Sequence, residues 1–192
     1  MKNLKLMWVL FAAMVVGCTQ DAEISEKENK ALSGGGTTQV IIGEEVSGVL
    51  SITYSNMTLL ENELKTYWGL TSLNNLRLEF EGGEYWLKAD GNNSNGEHID
   101  WALLMDKQLD DIVMLIDGGG HTCTSRACCS SCKLTIASET DGYCSCKLKI
   151  TYGNGCGGAD NADKRTCGHS VSTGLGTDSD YVDMVNALDA AS

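Results

Sequence analysis

Leu76-Arg77-Leu78-Glu79-Phe80-Glu81-Gly82-Gly83-Glu84-Tyr85-Trp86-Leu87-Lys88-Ala89 reads as two strands joined by a tight turn. Gly82-Gly83 supplies the backbone freedom that a two-residue hairpin loop demands at its central positions. Closing the chain there sets Phe80 opposite Tyr85, Leu78 opposite Leu87 and Leu76 opposite Ala89. These apolar residues then share one face, with Arg77, Glu79 and Lys88 on the other. Turn chemistry and period-two alternation agree, so antiparallel pairing organises this part of the chain.

The pattern continues in both directions. Val49, Leu50, Ile52 and Tyr54 form a strand pattern. Thr58-Leu59-Leu60-Glu61 has the spacing of a capping box, Leu60, Leu64 and Trp68 recur every fourth residue, and Gly69 is placed to end that helix. Asp90 to Gly96 is a polar connecting loop. Its Asp90, Asn92 and Ser94 alternate as at the start of a calcium loop, but Trp101 stands where the bidentate Glu should be. Ile99 to Met105 and Ile112 to Ile116 are apolar segments read as strands, the first with helix as an alternative. Thr177 or Asp180 caps a short terminal helix whose apolar face is Tyr181, Val185 and Leu188. The fold class expected is α+β: mainly antiparallel β with one or two short helices and a disulfide-rich carboxyl-terminal β unit.

The amino terminus has a different character. Lys2 and Lys5 precede an uncharged apolar run from Leu6 to Val16, too short for the roughly 20 residues of a spanning helix. It ends in Val15-Val16-Gly17-Cys18, which resembles the lipobox of bacterial lipoproteins. The resemblance covers residues 1 to 18 alone. It implies a signal peptide over 1–17 and acyl chains on Cys18, hence an exported protein held at a membrane by lipid, with no spanning segment in the mature chain. Thr19 in place of aspartate is similar to outer-membrane sorting. Asp21 and Glu23 resemble the surface-export signal of lipoproteins from the Bacteroides and Flavobacterium group, so the outer membrane is expected, on its periplasmic or cell-surface face. Residues 18–37, with Ser33-Gly34-Gly35-Gly36-Thr37, read as a flexible tether. Residues 38–192 form a single domain, with a mixed part over 38–120 and a cysteine-rich part over 121–170. The mature domain resembles no family.

Charge bears on partners. The chain carries 14 basic and 26 acidic residues, and the signal peptide holds two of the lysines and no acid, leaving 12 against 26, or -14. Such a surface repels nucleic acid and suits solubility, cations or a basic partner. From His121 to Ser170 there are six basic and four acidic residues, or +2, so the rest of the mature chain carries -16.

That near-neutral stretch holds Cys123, Cys128, Cys129, Cys132, Cys144, Cys146, Cys156 and Cys167. Eight cysteines in an exported segment with few large aliphatic residues imply disulfides. The alternative is a metal centre, zinc above all, drawn from Cys129, Cys132, Cys144, Cys146, His121 and His169. A third pattern, Asp117-Gly118-Gly119-Gly120-His121 with Cys123, places acid, base and nucleophile in one glycine-rich turn, but adjacent positions seldom converge as a Cys-His hydrolase requires. The reading adopted is a binding or structural module without cofactor or catalytic residues, its protein or small-molecule partner unspecified. The alternative is a zinc-binding or Cys/His-dependent extracytoplasmic enzyme. Trp68, Trp86 and Trp101 read as core or sheet residues rather than a sugar platform.

Ser131-Cys132-Lys133-Leu134-Thr135-Ile136 echoes Ser145-Cys146-Lys147-Leu148-Lys149-Ile150, and Thr140-Asp141-Gly142 between them reads as a three-residue hairpin loop. That register sets Leu134 opposite Leu148, Ile136 opposite Cys146, Cys132 opposite Ile150 and Ser138 opposite Cys144. A loop at Asp141-Gly142-Tyr143 would slide it by two and keep the same face buried. Cys132 and Cys146 then stand at least ~13 Å apart, beyond the ~7 Å reach of a bridge, and Cys144 to Cys146 would be strained. Each of Cys132, Cys144 and Cys146 is expected to bond outward, to three of Cys123, Cys128, Cys129, Cys156 and Cys167. Cys128 and Cys129 should take separate partners.

Overall fold

The structure is a computed structural model, and it describes residues 38–148 and 166–192. The signal peptide, Cys18, the tether, Ile150 and Cys156 lie outside the described residues. Within them the chain runs β1 (Gln39–Val46), β2 (Val49–Ile52), α1 (Met57–Tyr67), β3 (Leu70–Glu81), β4 (Glu84–Asn93), β5 (His98–Gln108), β6 (Asp111–Leu115), β7 (Gly120–Ser125), β8 (Cys129–Ile136), β9 (Gly142–Leu148), β10 (Cys167–Ser172) and α2 (Ser179–Asp189). This is mainly antiparallel β with two short helices.

The Gly82-Gly83 hairpin forms as its turn chemistry dictates. Both glycines have positive φ, and Phe80 pairs with Tyr85 and Leu78 with Leu87. Leu76 does not reach Ala89: the register shifts between Asn74 and Arg77, where Asn75 turns to a φ of 55°. The extra residue kinks β3. β4 then pairs with β5 along Tyr85–Asn92. Asp90 to Asn93 are thus strand rather than loop.

The long strand β5 forks the sheet. Ile99–Leu103 pair with β7, which carries β10 on its far side, while Asp106–Gln108 pair with β6. β6 pairs in turn with β1, and β1 with β2. This second arm curls until β2 lies beside β3, making a near-barrel. Ile99 to Met105 is strand, not helix. Its run, apolar on both faces except at Asp100, has a physical reason, because both of its faces are largely buried.

Alternation fills the barrel. Leu87 and Ala89 from β4, and Ile99, Trp101, Leu103 and Met105 from β5, join Val40, Ile42, Ile112 and Met114 in one core. Two helices close it. α1 contributes Leu60 and Leu64, α2 contributes Tyr181, Met184, Val185 and Leu188, and Trp68 stacks on Trp101 at 5.6 Å. The cap of α1 is Asn56, whose side chain accepts from the Leu59 amide, and not Thr58; an amide oxygen two residues earlier does the same chemistry. Gly69, at a φ of 62°, ends the helix as its spacing implies. Asp178, between the two expected residues, caps α2 by accepting from Asp180 and Tyr181.

Candidate functional site

The opposite face of β4-β5-β7 carries Trp86, Lys88, Asp100, Ala102, His121 and Cys123, all buried. A face bearing a lysine, an aspartate and a histidine is buried because the β8–β9 hairpin lies across it. Leu134 and Ile136 of β8 pack with Trp86, Ala102, Cys123 and Cys132 in a second core.

β8 is an edge strand, and its outward amides need acceptors. Three side chains of the sheet meet them at every second residue. Cys132 donates its amide to His98 Nδ1 at 3.2 Å, Leu134 to Asp100 Oδ2 at 2.8 Å and Ile136 to Glu81 Oε1 at 2.9 Å. Behind these acceptors sits Lys88, 3% exposed, donating to Glu81 at 2.6 Å and paired with Glu79 at 3.1 Å. Arg77 completes the row on Glu79 at 2.6 Å. Burial raises the Asp100 carboxyl above its ordinary range, against the opposing pull of the Leu134 amide and of Lys88 and Arg77. Burial acts likewise on Glu79, but hydrogen bonds from Arg77 and Lys88 outweigh it and hold that carboxyl below its usual range.

Among the described residues, three disulfides cross-link the hairpin and tie it to β7 and β10. Cys123–Cys144 joins β7 to β9, Cys129–Cys146 joins β8 to β9, and Cys132–Cys167 joins β8 to β10, with Cα separations of 5.7, 5.6 and 6.0 Å. Cys128 is disulfide-bonded as well. Cys132, Cys144 and Cys146 therefore all bond outward, as the alternation implies. The register behind that expectation is wrong. Cys132 lies directly opposite Cys146, Leu134 opposite Cys144 and Ile136 opposite Gly142. Ala137 and Ser138 both donate to the Asp141 carbonyl, a bulge that places the loop at Glu139-Thr140 and shifts the strands by four residues. An even shift keeps the same face buried, so the three cysteines still point to one side. Cys132 and Cys146 are therefore not held apart by strand rise. Directly opposed residues whose amides point away from each other stand only ~4.5 Å apart, at the narrow end of bridge geometry. The diagonal partner Cys129 and the β10 partner Cys167 fit the preferred span.

The candidate zinc ligands divide into two groups. Cys129, Cys146 and Cys167 bring their sulfurs within 4.8 Å of one another, but as members of two adjacent disulfides, and a disulfide sulfur is not the thiolate that zinc requires. Cys132 and Cys144 are likewise bonded. His121 and His169 pair with each other, Nδ1 to Nε2 at 3.1 Å with rings stacked, and His121 Nε2 meets the Glu139 carbonyl at 2.7 Å. A carbonyl only accepts, so His121 donates from Nε2 to Glu139, and its Nδ1 shares a hydrogen bond with His169 Nε2. Burial and the neighbouring His121 depress the His169 pKa, with Asp141 opposing them. The Cys/His hydrolase pattern does not assemble: Cys123 is bonded to Cys144, and His121 is fully buried with both nitrogens engaged.

His98, Glu81, Lys88 and Asp100 escape a reading of the sequence as site residues. Two signals point to them. Asp100 interrupts an otherwise apolar run, and Trp86 falls on the charged face of its hairpin, a large aromatic that must be covered. Asp90 of the calcium-like pattern is engaged by Asn75 and His98, and Asn92 lies in β4, donating its backbone amide to Ser72. No protein-family model, curated protein or solved structure matches this chain.

Proposed function

We propose that this chain is an exported bacterial lipoprotein, tethered by lipid on Cys18 at the outer membrane, that displays a disulfide-locked β domain as a binding or structural module. The Val15-Val16-Gly17-Cys18 ending of the apolar leader carries this reading. The disulfides are consistent with an extracytoplasmic location, where such bonds persist. Several acyl chains on one residue anchor a soluble domain firmly, at about 0.8 kcal/mol per buried methylene. Engagement of both His121 nitrogens and of the described cysteines supports a non-catalytic role over the Cys/His enzyme. The test is Cys18→Ala. It should abolish incorporation of radiolabelled fatty acid and leave the precursor unprocessed, whereas continued labelling would refute the anchor.

A zinc centre is the second reading: reduction of two adjacent disulfides would free the clustered sulfurs of Cys129, Cys146 and Cys167 as thiolates. Intact mass after denaturation and alkylation without reductant, run beside elemental analysis, separates the two. The first reading expects no added mass. Four or more alkyl groups together with zinc would replace it with the second.

A further inference from the structure

Three hairpin tips meet at one end of the near-barrel. β1 and β2 turn at Ser47-Gly48, β3 and β4 at Gly82-Gly83, and β5 and β6 at Leu109-Asp110. The pairings Glu44 with Asp111 and Tyr85 with Met105 place all three at the same end, and the Glu45 amide donates to the Asp110 carbonyl at 2.8 Å. Beneath them Tyr85 donates to Glu45, which Lys107 also binds, and this polar plug closes the barrel mouth.

Above the plug the tips are apolar. Val46 is 53% exposed, Val49 65%, Phe80 59% and Leu109 93%. Leu109 has a φ of 60°, the first central position of a two-residue turn, where glycine is favoured because a side chain is strained. Strain and full exposure together mean that nothing inside the fold rewards a leucine there. Around these residues stand Glu44, Glu84, Asp106, Asp110 and Asp111, and none forms an ion pair among the described residues. The nearby cation, Lys107, is taken by Glu45.

We propose that these tips form a docking surface for a basic, apolar polypeptide segment, with Val46, Val49, Phe80 and Leu109 covering its apolar side chains and the carboxylate rim meeting its lysines or arginines. The inference rests on the binding-module reading and names the chemistry of its partner. Charge decides the occupant. The acidic rim repels anionic lipid headgroups, and it equally repels a second copy of itself.

The experiment uses the full mature chain in phosphatidylcholine nanodiscs and a fluorescent synthetic peptide of alternating lysine and leucine, read by anisotropy. Peptides of alternating glutamate and leucine, and of lysine and serine, are the comparators. The lysine–leucine peptide should bind at least tenfold more tightly than either, and less tightly as salt rises. V49S/L109S alters only exposed side chains and should weaken binding at least tenfold at an unchanged thermal midpoint. D110K/D111K should do the same through charge. Equal affinity for the variants, equal binding of the glutamate–leucine peptide, preferential binding to phosphatidylglycerol vesicles or concentration-dependent self-association would each overturn the proposal. None of these results alters whether Cys18 is acylated, so failure here is distinct from failure of the anchor.

Discussion

Replacing Lys88 by Met keeps the length of the side chain and removes the charge behind the β8 acceptors. Lys88 is 3% exposed, so its ammonium has no alternative solvation, and its loss leaves Glu81 without its ion-pair partner and Arg77 as the one cation beside Glu79 and Asp100 among the described residues. Deleting one member of a fully buried pair costs about 3–5 kcal/mol. Here Glu79 and Glu81 are 37% and 27% exposed, and solvent screening roughly halves that figure to about 2 kcal/mol. At 1.36 kcal/mol per tenfold, this is a change of roughly 30-fold in the opening equilibrium. The effect should concentrate where those carboxylates accept amides. Hydrogen exchange at Leu134 and Ile136 should quicken by roughly that factor, while Leu87 and Leu103 in the barrel core change little. Acidification should close the gap, since protonated glutamates no longer repel. Unchanged exchange at Leu134 and Ile136, or an equal acceleration across the barrel, would show that Lys88 does not hold the hairpin down.

Asp100→Asn tests the same contact through pH. The folded Asp100 carboxyl titrates above its ordinary value of 3.8, so its contribution is fully present below that value and declines as pH rises through the folded pKa. The amide still accepts from Leu134 but carries no charge, so the variant should gain stability relative to the parent as pH climbs from 3.8; denaturation midpoints that run parallel at all pH values would contradict this. C132S/C167S opens a bridge spanning 35 residues and C129S/C146S one spanning 17, and chain-entropy loss sets their costs at roughly 4 and 3 kcal/mol. Urea unfolding should rank the two variants in that order, and non-reducing peptide mapping of the parent should recover the Cys123–Cys144, Cys129–Cys146 and Cys132–Cys167 links.

The sequence by itself determined what local chemistry can determine. Gly82-Gly83 admits one hairpin, and the alternation of Leu78 and Leu87 against Arg77, Glu79 and Lys88 assigns its faces, because a side-chain period of two leaves no other choice. Parity alone also put Cys132, Cys144 and Cys146 on one face, but it could not choose their partners, since Cys132 and Cys146 stand directly opposite each other. The register of β8 on β9 was decided elsewhere. A bulge at Ala137-Ser138 is favoured when distant groups fix the strand, and β8 sits where His98, Asp100 and Glu81 satisfy its amides. Those acceptors are 34, 34 and 55 residues away in the chain. No window of local sequence contains such a contact. For the same reason the sequence shows that Lys88 lies on the charged face, and only tertiary structure makes that face an interior. Alternation assigns a residue to a side of a sheet, but what covers that side depends on where the rest of the chain returns.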